Sequence, residues 1–120
     1  MLKTKDIGDF GENAAREYMI KNGYEIVLSN YSSKAGEIDI IAKKDEYIVF
    51  VEVKARKTSI FGEPCEFVDT KKQQRIIKTA YKYLEENSLD SPIRFDVCEI
   101  IHENADKIKS INYIEGAFEL

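Results

Sequence analysis

The chain has 120 residues, 43% hydrophobic and 33% charged, with six glycines and two prolines, which fits one domain over residues 1–120 and excludes collagen-like, low-complexity and disordered classes. Its net charge of −4 argues against a protein that coats nucleic acid by overall charge. No apolar run approaches the roughly 20 residues that cross a bilayer, and the N-terminus lacks the apolar core of a secretion signal, so no membrane partner is expected.

In chain order, Asp6 caps a first helix that runs to about Asn22 and stops at Gly23, with Ile7, Phe10, Ala14 and Tyr18 at helical spacing. A strand from Tyr24 to Leu28 ends at Ser29-Asn30. Glu37 to Lys43 and Tyr47 to Arg56 then read as a hairpin joined across Lys44-Asp45-Glu46. The run Ile48-Val49-Phe50-Val51 is apolar on both faces, which marks a central strand. The polar stretch from Lys57 to Val68 reads as a mobile loop. Asp69 caps a second helix from about Thr70 to Asn87, whose stripe is Ile76, Ile77, Ala80, Tyr81 and Leu84. A strand from Ile93 to Ile101 follows, and Ile111 to Ile114 is a candidate for one more. The expected class is α/β, a mixed central sheet in the order α-β-β-β-α-β with flanking helices.

Two short stretches carry the chemistry, Gly36-Glu37-Ile38-Asp39 and Glu52-Val53-Lys54. Residues two apart on a strand share a face, so Glu37 goes with Asp39 and Glu52 with Lys54. A turn centred between Asp45 and Glu46 sets Asp39 opposite Glu52 and Glu37 opposite Lys54. A slip of one residue would separate them. Carboxylates this close repel unless a cation lies between them. Mg²⁺, with Mn²⁺ as its substitute, suits the oxygen donors, keeps several waters and leaves room for a phosphate oxygen. Lys54 then positions the attacking water and stabilises developing charge. An isolated Glu-Val-Lys is ordinarily a salt-bridged strand; the matched register gives this one its weight.

The pattern of Glu12 on the opening helix, Gly36-Glu37-Ile38-Asp39 and Val51-Glu52-Val53-Lys54-Ala55-Arg56 resembles the YraN-like family of small bacterial endonucleases. That family is similar to the PD-(D/E)xK nucleases, Holliday-junction resolvases in particular. The resemblance implies a restriction-endonuclease-like fold and a metal-dependent endonuclease acting on DNA, with branched or structured DNA as the preferred substrate. It makes Asp39 and Glu52 the metal-holding acids, Lys54 the motif lysine, Glu12 a helix-borne acid that completes the site and the Val53 carbonyl a further metal ligand. Glu37 is either one more ligand or the partner of Lys54. Resolvase-like members act as dimers, which brings in a homodimer. Ile38 stands where the motif's proline would be, and Gln74 is followed four residues on by Lys78, so the Q-x-x-x-Y signature of exonuclease-like relatives is missing.

From Lys54 to Lys82 there are eight basic and three acidic residues. Lys71, Arg75, Lys78 and Lys82 fall on one helix face opposite the apolar stripe. Such a face is commonly only solvated; joined to Arg56 and Lys57 it forms a candidate phosphate track. Phe61 and Phe67 are expected to pack rather than stack on bases. Cys65 and Cys98 form no C-x-x-C pair and, with the single His102, make no closed zinc site, so a reduced, cytoplasmic protein is expected. The competing reading is a non-catalytic module that binds nucleic acid or protein and retains a nuclease scaffold. A third treats the charged cluster as a structural salt-bridge network.

Overall fold

The computed structural model describes residues 4–57, 68–104 and 106–119. The order is α1 (Thr4–Lys21), β1 (Glu25–Ser33), β2 (Gly36–Lys44), β3 (Tyr47–Lys57), α2 (Thr70–Glu86), β4 (Ile93–Asn104) and β5 (Lys107–Phe118). The five strands form one mixed sheet in the order β1-β2-β3-β4-β5, antiparallel except for the β3–β4 pair. A parallel pair requires a crossover, and α2 provides it. A fifth strand therefore extends the expected order to α-β-β-β-α-β-β, and it is much longer than the Ile111–Ile114 segment.

The sheet separates two cores. Ile76, Ala80, Tyr83 and Leu84 of α2 pack with Ile41, Phe50, Phe95 and Val97 on one face. Ala15 and Met19 of α1 pack with Ile40, Ala42, Val49, Val51, Cys98 and Ile100 on the other. Strand β3 thus alternates between two buried faces, as its uninterrupted apolar run requires.

The β2–β3 register runs from Lys44↔Tyr47 to Ile40↔Val51, the register expected from the turn position. Asp45 takes φ 54, as an aspartate in a tight turn can. On α2, Asp69 accepts from the Lys72 backbone N–H, so the expected cap is present, and Asn87 closes the helix.

Four expectations change. Helix α1 spans Thr4–Lys21 among the described residues, so Asp6 lies within it instead of capping it. Strand β1 continues beyond Ser29-Asn30 to Ser33, because Asn30 takes φ 56, a conformation asparagine tolerates, and pairing resumes at Tyr31↔Ile38. In α2, Thr79 and Tyr83 are buried and Tyr81 is exposed, since positions 76, 79, 80, 83 and 84 make the helical stripe. The β2–β3 ladder stops at Ile40↔Val51 and reaches neither expected pair, Asp39 with Glu52 or Glu37 with Lys54; Glu37 pairs with Ser32 of β1. Cys65, Phe61, Phe67 and the expected mobile loop, apart from its two ends, lie outside the described residues.

Candidate active site

The site begins where β2 parts from β3. Beyond Ile40↔Val51 the backbone ladder stops, and the Asp39 side chain replaces it: Oδ2 accepts from the Val53 backbone N–H at 2.8 Å. Facing alternation breaks here as well. Ile38 and Ile41 both belong to the α2-side core, whereas Ile40 belongs to the α1-side core. The β1–β2 pairing skips this level, between Ser29↔Ile40 and Tyr31↔Ile38, beside the left-handed Asn30. The local kink turns Asp39 towards α2.

Asp39 and Glu52 line one cavity of about 350 Å³, together with Gly36, Glu37, Lys72, Arg75 and Ile76. Glu52 is buried, and Lys72 Nζ lies 2.7 Å from its Oε1. Burial pushes the Asp39 carboxyl above the ordinary aspartate range, with Glu37 adding to the rise; the Val53 N–H and Lys72 oppose it. Glu52 is also raised, first by burial and then by Asp39, against the pull of Lys72 and Lys54. Burial alone would lower Lys72, but the hydrogen bond and charge of Glu52, with Asp39 and Asp69, keep its ammonium above the usual lysine range. Two desolvated acids, one raising the other and both drawn down by one lysine, are the arrangement that favours a further cation.

Lys54 follows Glu52 on the same face of β3 and acts on its charge, but it is not among the described residues lining the cavity. Glu12 is half-buried on α1, on the other side of the sheet, and does not line the cavity either. Its neighbour Gly11 lies close over β3, its Cβ position 3.6 Å from the Ala55 Cβ, so α1 crosses β3 just past Lys54. Arg56 Nε donates to Glu99 Oε2 at 2.8 Å, which ties that guanidinium to a buried strand acid. The Lys57 side chain is outside the described residues. Lys71, Arg75, Lys78 and Lys82 are all exposed on α2, as expected of a solvent-facing row.

Lys72 escaped the sequence reading. It stands three residues after the Asp69 cap and four before buried Ile76, at the margin of the stripe, and that spacing was its only signal. A second missed group is Asp96, fully buried and held by four donors. Arg94 reaches it with Nε and a terminal nitrogen, each at 2.8 Å, the Tyr113 hydroxyl donates at 2.6 Å and the Gly116 N–H at 2.9 Å. All its partners lie on β4 and β5, so this network pins the last strand. Cys98 is buried, and burial and Asp96 push its thiol up to about 12, leaving it unreactive.

Among the described residues no group of three or more histidine, cysteine, aspartate or glutamate side chains is placed to hold a metal ion. The two half-buried or buried carboxylates that share the cavity are Asp39 and Glu52, with exposed Glu37 at its lining. This number suits Mg²⁺, which takes one or two carboxylates and fills its shell with water and phosphate oxygens. Among the described residues no helix is long and apolar enough to cross a membrane.

Among the described residues, fold and site together give a mixed α/β arrangement of two helices and five strands, with buried Glu52 and half-buried Asp39 meeting where the second and third strands diverge. The profile of the Uncharacterised protein family UPF0102 matches residues 11–100, and the chain belongs to that family. It is 47% identical over 119 residues to a UPF0102 protein of Caldicellulosiruptor bescii, covering 98% of this chain and 100% of the relative. A UPF0102 protein of Clostridioides difficile is 47% identical over 118 residues, with 98% and 100% covered. One from Clostridium acetobutylicum is 43% identical over 118 residues, with 98% and 97% covered.

Proposed function

We propose that this chain is a metal-dependent endonuclease that hydrolyses phosphodiester bonds in DNA, a small PD-(D/E)xK nuclease of restriction-endonuclease-like fold working in the cytoplasm. The observation that carries the reading is the meeting of Asp39 and Glu52, from two diverging strands, in one cavity with Lys72. Charged acids are expensive to bury, and a stable fold keeps such a pair apart unless a cation is to be held between them.

Asp39 and Glu52 would hold Mg²⁺, or Mn²⁺ in its place, with the Val53 carbonyl as a further oxygen donor. Once bound, such an ion acidifies a water and neutralises charge on the phosphate. The rest falls to the protein. The Val53 N–H fixes one Asp39 oxygen and so aims the other, Lys54 orients the attacking water from the Glu52 face of β3, and Lys72 and Arg75 bring positive charge to the phosphate. Glu12, on the opposite side of the sheet, would assist from the end of β3. Branched DNA as substrate, and a dimer that cuts two strands, rest on the resemblance to resolvases alone.

One observation favours the competing reading of a non-catalytic binding module: Lys72 already neutralises Glu52. Incubation with four-way junction and linear DNA, with Mg²⁺, with Mn²⁺ and with EDTA, separates the two. The endonuclease reading expects metal-dependent cleavage that is lost in Asp39→Asn and Glu52→Gln. DNA binding without cleavage under every metal condition supports the binding module. Cleavage that persists in both variants removes the mechanism.

A further inference from the structure

Two hollows follow one another along α2. The first is the acid-pair cavity, with Lys72 and Arg75 on its helix side. The second, of about 530 Å³, lies between Tyr31–Ala35 at the β1–β2 turn and Lys78, Lys82 and Glu86 of α2. They part where the turn touches the helix. A Cβ on Gly36 would sit 3.3 Å from Thr79 Oγ1 and 3.4 Å from the Arg75 Cβ, so the glycine lets the turn settle closely against α2 and a side chain there would press on the helix. The helix and the turn therefore line two adjoining hollows, one on either side of that contact.

Together they have the charge and length of a strand-binding track. Lys72 to Lys82 is ten residues of α-helix, about 15 Å of axis, long enough to lie along more than one phosphate of a strand. The second hollow brings Lys34, Lys78 and Lys82 against the single carboxylate of Glu86, and Ser32 adds a neutral hydroxyl. Lys34, Lys78 and Lys82 are all exposed, so their ammonium groups are within reach of a ligand in that hollow. The first hollow, on the other side of the turn–helix contact, holds Asp39 and Glu52. A phosphodiester delivered to the acids must leave its neighbouring phosphates somewhere, and the lysines of the second hollow are the cations next along α2.

We infer that the groove between α2 and the β1–β2 turn holds the backbone of one nucleic-acid strand as it leaves the acid pair, with Lys34, Lys78 and Lys82 as its distal phosphate contacts. The inference rests on the nuclease reading and adds to it a direction and a second wall, in which Lys34 joins the helix face.

The test is fluorescence anisotropy of a fluorescein-labelled single-stranded 20-mer DNA, in EDTA, over a series of salt concentrations. Lys34→Gln/Lys82→Gln is compared with the wild type and with Lys107→Gln, a change at the exposed β4–β5 turn. Each phosphate contact on a single strand adds about 0.7 to the slope of log affinity against log salt, so the double variant should lose about 1.4 from that slope. Lys107→Gln should keep the wild-type slope. The exchanged lysines are exposed, so equal melting temperatures are expected and guard against a folding effect. A wild type that binds while the double variant keeps its full slope overturns the groove and leaves the acid-pair reading standing. A wild type that binds no oligonucleotide overturns both. Poly-glutamate that competes as well as unlabelled DNA of equal charge marks an acidic protein segment as the occupant and also overturns the inference.

Discussion

Lys72 of α2 meets Glu52 of β3 at 2.7 Å, joining the helix layer to the sheet through the wall of the acid-pair cavity. Glu52 keeps 8% of its side-chain surface and Lys72 keeps 46%, so the acid depends on the lysine more than the lysine depends on the acid. Removing the cation leaves a buried carboxylate beside Asp39 with one counter-charge fewer. Lys72→Met should cost about 1 kcal/mol, the figure being modest because solvent screens the lysine end. Glu52→Gln/Lys72→Met should cost clearly less than the two single changes added together. Urea unfolding of the four proteins in the cycle measures this, and strictly additive costs would mean the pair does not act as one.

Asp39→Asn should make the protein more stable at neutral pH. The amide oxygen can still accept from the Val53 N–H, while the charge that burial and Glu37 disfavour is gone. A gain of about 1 kcal/mol corresponds to roughly 4 °C in Tm for a domain of this size. The sign of the pH dependence follows from the raised pKa. The folded state binds the Asp39 proton more tightly than the unfolded chain does, so ionisation costs stability as pH rises through that range. At lower pH the wild-type carboxyl is already neutral, and the advantage of the variant should vanish. Thermal melts from about pH 3.5 to pH 7 test this; a variant less stable than the wild type at pH 7 would show that the charge is needed for folding.

Asp96→Ala should be among the most damaging single changes in the chain. It would leave the Arg94 guanidinium, the Tyr113 hydroxyl and the Gly116 N–H without their shared acceptor. Breaking a buried pair from one side costs about 3 kcal/mol or more. Tyr113→Phe removes one donor and should cost about 1 kcal/mol. Hydrogen exchange should locate the loss in β5, since the network is what fastens that strand's end to β4. Uniform loss of protection across the sheet would argue against that local role.

The β2–β3 register was legible because a two-residue turn leaves little freedom: a slip of one residue would swap Val49 and Val51 with Ile48 and Phe50 between the two cores. The Asp69 cap was legible for a similar reason, being a local contact three residues long. What depends on kinks was not. Asn30 reads as a stop, yet in the left-handed region it lets β1 continue and helps to turn Asp39 towards α2. Tyr81 and Tyr83 are two aromatics within one turn of α2, and only the packing of Tyr83 between Tyr31 and Phe50 decides which is buried. Lys72 sits next to Lys71 in sequence, and only its place four residues before Ile76 sets it apart as the one that turns inward to Glu52. The Asp96 network needs partners 17 and 20 residues away on β5, most of which lies outside the Ile111–Ile114 segment read as a candidate strand.

The central claim is that Asp39 and Glu52 hold a divalent cation between them. The most direct measurement is titration of the purified protein with Mn²⁺, following free Mn²⁺ by electron paramagnetic resonance at pH 7.5. The wild type should take up Mn²⁺ at one saturable site that Mg²⁺ competes for. Asp39→Asn and Glu52→Gln should each weaken it by about tenfold or more, the scale on which losing even a supporting group acts at a metal site. Uptake in both variants equal to that of the wild type, or no saturable uptake by the wild type, would contradict it.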